Sequence, residues 1–411
     1  MTVSLVVAGA GIRGVTYSRH AVASGRARVV AVAEPDPRRR ARFAAEFGVP
    51  AEHAFSDWTD LAAAGRLADA AVITTQDHLH EAPAVALAGL RYHILLEKPM
   101  APTEAAAAAI TAAVSAARVV FAVCHVLRYT PYSRALRGLL DSGRLGRLVS
   151  AQHLEPVGWW HHAHSFVRGH WANTRTSGPM LLTKACHDID WLLYLFGQPP
   201  RQVSSFGSLA HFRAEERPDG AADNCLDCPV EPTCPYSAPR LYLGCLGDPR
   251  SEFWPLSAVT DDPTPDGVRT ALRAGPYGRC VYTADNDVVD HQVVAMTFAD
   301  GATCSFTMTA FTPSQSRRTR LFGTHGYVEG DGRMLRVVDF RTGAEETVDT
   351  HGGSALHGHD GGDAGMVDAF LTAVATGDQA RVHSDAHTSL ASHRVVWAAE
   401  RARLSGTVVS L

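Results

Sequence analysis

The sequence predicts an α/β plus α+β chain: an N-terminal doubly wound parallel sheet, followed by a C-terminal α/β domain on a large open, mainly antiparallel sheet. Three observations predict it. Over the first 125 residues, short continuous apolar runs alternate with alanine-rich stretches, the pattern of strands buried on both faces and crossed over by helices. Beyond about residue 130, longer segments with period-2 alternation take over, as expected of strands with one covered face. A length of 411 residues also exceeds the roughly 100–200 residues of a usual single domain.

In order, "SLVVAGAG", "VVAVAEP", "DAAVITT", "YHILLEKP" and "VVFAVCH" read as strands, with helices at 14–24, 36–47, 81–89 and 103–117. Thr103 is a fitting N-cap for the last of these. The one stretch resembling a membrane span, 105–127, is rich in weakly hydrophobic alanine and carries Arg118, which near a bilayer centre would cost about 2.5–3.5 kcal/mol. A helix ending near Ala117 and a buried strand fit it better than a membrane span. The N-terminus shows no basic region or small-residue cleavage site, so a cytoplasmic location is expected. In the second half, "RLVSAQHLEPV", "DHQVVAMTFADG", "GATCSFTMTAF" and "RRTRLFGTHGYVEG" read as strands, with Asp300-Gly301 as a hairpin turn. Residues 210–280 read as a loop-rich, cysteine-bearing insertion, and "AHTSLASHRVVWAAERARLSG" as a helix closed by Gly406. The expected division is 1–127, 128–380, and a C-terminal helix and tail, 381–411, packing back on the body.

"VVAGAGIRG" sets Gly9, Gly11 and Gly14 in a G-x-G-x-x-G pattern between a strand and a helix. There the first glycine permits the turn, the second lets the backbone approach a pyrophosphate, and the third packs helix on strand. The first layer is therefore expected to be a Rossmann domain, with Ile12 and Arg13 in the loop facing the cofactor. Glu34 closes the second strand, where an acid accepts hydrogen bonds from ribose hydroxyls and repels a 2′-phosphate. NAD is favoured on that ground, whereas Arg13 and the run Arg38-Arg39-Arg40 speak for NADP. Lys plus Arg number 38 against 42 acids, a net charge of −4, which gives no basic excess to hold nucleic acid.

With "LLEKPM", "TTQDHLHEAPAVALAGL", "HVLRYTPYSRALRGLLDSGRLGRLVS" and "GPMLLTKACHDIDWLLYLFG", the chain resembles the Gfo/Idh/MocA family over essentially its whole length. The resemblance implies NAD(P)-dependent oxidation or reduction of a secondary alcohol on a sugar, cyclitol or glycoside. It implies Lys98 of E-K-P between substrate hydroxyl and nicotinamide, and His187 as acid/base with Asp190 completing H-x-x-D. Thr75, His80, Glu97 and Arg128 are the implied cofactor neighbours. A homodimer or homotetramer through the open sheet face is implied as well. A histidine that titrates near neutrality can take the hydroxyl proton, and an ammonium can stabilise the developing alkoxide.

One position departs from the pattern. The aspartate that many relatives carry four residues before the histidine is Thr183 here, followed by Lys184, so a second catalytic lysine is a further expectation. "GIRG" and "AEPDP" look as much like a branch that retains NAD and cleaves glycosides by transient oxidation, elimination, hydration and reduction. A silent sugar- and NAD-binding regulator is a minor third reading.

Two clusters remain. Cys225, Cys228 and Cys234 have C-x2-C-x5-C spacing, able to close on zinc or, with prolines after two of them, on an iron–sulfur cluster. The fourth ligand is Cys245 or Cys280, and the resemblance favours Cys280. The stretch "GWWHHAHSFVRGHW" (158–171) is expected to continue a strand at the pocket rim, with Trp160, His161, His164, Arg168 and Trp171 as a sugar wall. His291 is a further candidate substrate group.

Overall fold

The computed structural model describes residues 2–350 and 361–411. The first sheet consists of six parallel strands, β1 (Val3–Ala8), β2 (Ala27–Ala33), β3 (Ala54–Phe55), β4 (Ala70–Ile73), β5 (His93–Leu96) and β6 (Phe121–Val123), in the order β3-β2-β1-β4-β5-β6. That order reverses beside β1, so the ends of β1 and β4 open the crevice where doubly wound sheets bind ligands. β1 and β4 are buried throughout, which is why they read as unbroken apolar runs.

The helices follow the sequence closely. Thr103 caps Glu104–Ala117 by accepting the Ala106 N–H at 3.3 Å, and Arg118 ends it at φ 51°. Gly406, at φ 67°, ends Ala386–Ser405. A short helix, Trp58–Ala63, and the two-residue β3 are additions. No helix among the described residues is long and apolar enough to cross a membrane.

The second sheet contains β7 (Leu148–Pro156), β8 (Pro200–Ser208), β9 (His291–Phe298), β10 (Thr303–Thr309), β11 (Arg318–Gly323), β12 (Gly326–Gly330), β13 (Met334–Asp339), β14 (Glu345–Asp349) and β15 (Val409–Ser410), in the order β14-β13-β12-β11-β7-β10-β9-β8-β15. Within this sheet, only the β7–β10 pairing is parallel among the described strands. Strict alternation of buried and exposed positions along β9 shows one covered face. The helix Cys186–Phe196 covers it, its Ile189 and Leu192 joining the core with Val294, Met296 and Phe306.

Three expectations need correction. The stretch 158–171 does not continue β7: Trp159–His162 is α-helical and Ala163–Arg168 is a π-helix. His162 and His164 therefore do not share a strand face. The insertion is less structureless than expected: among its loops, Ala238–Leu243, Pro249–Phe253 and Pro265–Ala274 are helices around a small core of Tyr242, Leu256, Val268 and Leu272. The helix Gly362–Thr376, assigned above to the second domain, packs Met366, Val367, Phe370 and Leu371 into the core of the first sheet.

Buried histidines make stability depend on pH. His125, His162 and His393 are fully buried, and burial lowers them to about 4, about 4 and about 3 from 6.5. His393 is held neutral by geometry, its Nδ1 near the Ser389 carbonyl at 2.7 Å while Nε2 accepts the Met100 N–H at 2.9 Å. Below 6.5 the unfolded chain binds protons that the folded one excludes, so stability is intact at neutral pH and falls towards pH 4. Each such histidine contributes about 1.4 kcal/mol per pH unit in that window. Thermal melts from pH 7.5 to 5 should show a steady fall in Tm, and a flat profile contradicts this.

Candidate functional site

The glycine turn has the form a dinucleotide needs. Gly9 is at φ 97°, and a Cβ there would stand 2.6 Å from the Thr74 carbonyl oxygen; one on Gly14 would stand 2.2 Å from the Gly9 oxygen. Nothing lies within 4 Å of a Cβ position on Gly11, so this backbone faces open space at the start of the helix Ile12–Ala23. Glu34 is buried at the end of the turn and accepts the Ala10 N–H at 2.8 Å and the Asp36 N–H at 3.0 Å. Arg39 pairs with Glu34 at 3.2 Å. Arg13 turns away from the open side, towards Asp363, Tyr17 and Glu97. It is thus a clasp between the first helix and Gly362–Thr376 rather than the phosphate contact expected of it.

The loop after β5 carries the lysine. Its Lys98–Pro99 bond is cis. His80, fully buried, sets its ring nitrogens 2.9 Å from the Pro99 carbonyl and 3.1 Å from that of Thr75, so it ties the loop to the end of β4 instead of facing the crevice. Glu97 accepts the Tyr17 hydroxyl at 2.6 Å. Lys98 reaches across to the second domain and donates to the Thr183 carbonyl at 2.7 Å. The Trp171 ring lies 5.8 Å from its ammonium, and the Trp171 indole donates to Asp77 at 3.0 Å.

Facing this loop, the helix Cys186–Phe196 presents His187 in its first turn. Arg317 donates to His187 Nε2 at 2.9 Å and is also paired with Asp188 and, at 2.8 Å, with Glu155. Glu155 binds Lys184 at 3.0 Å. Asp188 further contacts His153 Nε2 at 3.1 Å, and His153 Nδ1 meets Thr319 at 2.8 Å. Burial alone would raise the Asp188 carboxyl, but the Arg317 guanidinium and His153 hold it well below the usual carboxylate range. A cavity of about 380 Å³ opens beside this network, lined by Glu155, His161, Lys184 and Arg317 among others. Lys98 and His187 are not among its lining residues; Arg317 connects His187 to it.

Asp190 is fully buried and takes both Arg128 donors, at 2.6 and 2.8 Å. The pair joins the domain-linking segment to the His187 helix. Asp190 and Arg128 therefore bind each other.

This two-part arrangement matches one family along nearly the whole chain. The model described as "Oxidoreductase family, NAD-binding Rossmann fold" covers residues 3–125, and its companion, "Oxidoreductase family, C-terminal alpha/beta domain", covers residues 137–411. The chain belongs to the Gfo/Idh/MocA oxidoreductase family. It is 31% identical over 201 residues to inositol 2-dehydrogenase 2 of Saccharopolyspora erythraea, covering 48% of this chain and 55% of that protein. It is 26% identical over 153 residues to 2,7-anhydro-N-acetylneuraminate hydratase of Escherichia coli, covering 37% and 40%. The matches span 40–60% of the curated relatives' own lengths. Among solved structures, a levoglucosan dehydrogenase with NADH and levoglucosan aligns with TM-score 0.74 at 19% identity, covering 100% of this chain and 99% of that one; this likeness shows the fold.

Within this Gfo/Idh/MocA frame, the remaining candidates sort by position. His161 lines the cavity, and Trp160 packs on Trp254 with centroids 5.3 Å apart. His164 and Arg168 point the other way, into the insertion: His164 contacts the Tyr242 hydroxyl at 2.8 Å, and Arg168 donates to the Arg279 and Tyr236 carbonyls, each at 2.8 Å. They are not a substrate wall. His164→Ala should lower stability, read by denaturant midpoint, with substrate KM changed less than about twofold, because replacing a buried hydrogen-bonded group costs about 1–3 kcal/mol. Half-exposed His291 pairs with its neighbour Asp290 at 2.8 Å and is not among the cavity-lining residues. No group of three or more His, Cys, Asp and Glu among the described residues is already arranged to hold a metal ion. Sequence reading missed Glu155, His153, Asp188 and Arg317. Asp188 stood beside His187 in "CHDID", a sign that this helix start was more acidic than its apolar frame required.

Proposed function

We propose that the protein transfers hydride between a secondary alcohol of a sugar-like or cyclitol-like substrate and NAD. The observation that carries this reading is Lys98 of the first domain set against Thr183 at the entry to the His187 helix of the second. Gly9, Gly11, Ile12, Gly14, Glu34 and Thr75 would hold the dinucleotide, whose nicotinamide supplies the hydride acceptor. Lys98 then exchanges the Thr183 carbonyl for the substrate oxygen and stabilises charge that develops there. His187 Nε2, the acceptor of an Arg317 N–H, is placed to accept the hydroxyl proton once that N–H gives way. Asp188 and Glu155 anchor Arg317 on its other side. Lys184, neutralised by Glu155, serves as a substrate-facing donor at the cavity rather than as a free base.

Glu34 supports NAD over NADP, and Arg13 no longer argues against it. Glu34→Ala should weaken NAD binding about tenfold, roughly 1.4 kcal/mol, and relax discrimination against NADP. Equal NAD affinity in the variant, by fluorescence titration, would contradict the assignment. The outer face of the second sheet pairs exposed Phe206 with exposed Val293, which supports self-association through that face, checked by sedimentation of Phe206→Glu.

The relative named as a hydratase, together with the Lys184–Glu155 pair as extra acid/base groups, supports a second reading: a glycosidase that oxidises and re-reduces its substrate on retained NAD. Incubation with NAD and a panel of polyols and aryl glycosides separates the two. Net NADH favours the dehydrogenase. Aglycone release without net NADH favours the glycosidase.

A further inference from the structure

Four cysteines that take no part in the site above meet at a second place. Cys225, Cys228, Cys234 and Cys280 line one cavity of about 20 Å³, room for a single water-sized particle. An antiparallel bridge between Asn224 and Arg279 brings Cys280 beside Cys225, and the Cys280 N–H is donated to the Asp223 carbonyl at 2.8 Å. Cys245 is not a member: its Sγ faces the Leu241 carbonyl, 3.2 Å away, four residues back.

The charge beside the cavity is unusual. Arg168 lines it and is 4% exposed. Its hydrogen-bond partners are two carbonyls and, at 3.4 Å, the Cys225 sulfur, and its Nη1 has no partner among the described residues. A guanidinium buried without an anion is strongly unfavourable; the carboxylate that lines the cavity, Glu231, is engaged by the Ser237 hydroxyl and by Arg240, which leaves sulfur to carry negative charge beside Arg168. The other thiols are also met by donors. Cys228 Sγ accepts the Ala222 N–H at 3.4 Å. Burial pushes the Cys234 and Cys280 thiols up, with the Tyr236 and Tyr282 backbone N–H groups pulling the other way, so the donors suit thiolates only when a cation shares the site.

We propose that Cys225, Cys228, Cys234 and Cys280 bind one zinc ion, and that this thiolate centre is the counter-charge of Arg168 and fastens the insertion to the π-helix Ala163–Arg168. Each thiol gives its proton to solvent on binding. The four thiolates outweigh the ion's two positive charges and leave a negative centre. The four cysteines border a common space; because they are not already arranged around an ion, binding requires their side chains to rotate into tetrahedral Zn–S bonds of about 2.3 Å. The free space between them takes a single ion.

The test is elemental analysis of the full-length protein produced in zinc-supplemented medium, combined with titration by a mercurial thiol reagent in the presence of a zinc-sensitive dye. The expected result is one zinc per chain, released in step with modification of four thiols, and retained in Cys245→Ser but lost in Cys280→Ser. Replacement by cobalt should give the intense visible bands of tetrahedral thiolate coordination. If Cys280→Ser does not fold, the titration and the cobalt spectrum of the unaltered sequence decide the matter. Folded protein that neither contains nor takes up zinc overturns the proposal. So does iron with acid-labile sulfide, or loss of zinc in Cys245→Ser.

Discussion

Lys98→Met lowers kcat/KM by about 10²- to 10⁴-fold while NAD affinity stays within about twofold. Methionine keeps the unbranched stem that runs over Trp171 but removes the ammonium, which sits 2.7 Å from the Thr183 carbonyl and is placed to meet a substrate oxygen. Loss of one preorganised donor to a developing charge is worth about 10²–10³ in rate, and loss of proton management adds to it. The dinucleotide is held at the glycine turn and Glu34, which the substitution does not touch, so binding measured by nicotinamide fluorescence should be preserved. A fall in kcat/KM of less than about tenfold, or a parallel loss of NAD binding, would remove Lys98 from the reaction.

Asp190→Ala has the largest expected effect on stability, about 3–5 kcal/mol. It strands the Arg128 guanidinium, itself only 6% exposed, without the carboxylate that takes two of its N–H groups, and removal of one partner of a buried pair costs about that much. The remaining Arg128 bonds, to the His383 carbonyl at 2.7 Å and the residue-190 backbone carbonyl at 3.4 Å, do not offset the charge. The double variant Arg128→Met, Asp190→Leu should recover most of the loss, because replacing both members with apolar groups of similar volume is often neutral. Urea unfolding of both variants checks this. A double variant no more stable than Asp190→Ala would show that the pair does more than neutralise charge.

The two halves of the site differ in how far they could be read from sequence. The glycine turn, Glu34 and the E-K-P loop are continuous in the chain, and their chemistry is set by local geometry: a positive φ at Gly9, an open face at Gly11, an acid at the end of β2. The Arg317 network was not legible, because Arg317 and Asp188 lie 129 positions apart and "SQSRRTR" reads as a solvated run. Only the pairing of β7 with β11 brings His153, Thr319 and Glu155 together. The helices of the insertion did carry local signals, Asp248-Pro249 and Thr264-Pro265, each a cap followed by proline in the first turn. Cysteine and proline punctuation obscured them. The stretch 158–171 misled for a different reason: Trp160, His162, His164 and Phe166 alternate with the period of 2 of a strand, yet a short α-helical turn keeps His161 at the cavity and the π-helix after it sends His164 and Arg168 towards the insertion.

Hydride transfer from carbon is read out by isotope transfer. Candidate sugars and cyclitols carrying deuterium at their carbinol carbons are incubated with the protein and NAD, and the nicotinamide is examined by mass spectrometry. Deuterated NADH should accumulate with at least one substrate and should be lost in Lys98→Met. NAD that binds yet acquires no deuterium from any of them, even within a single turnover, would contradict it.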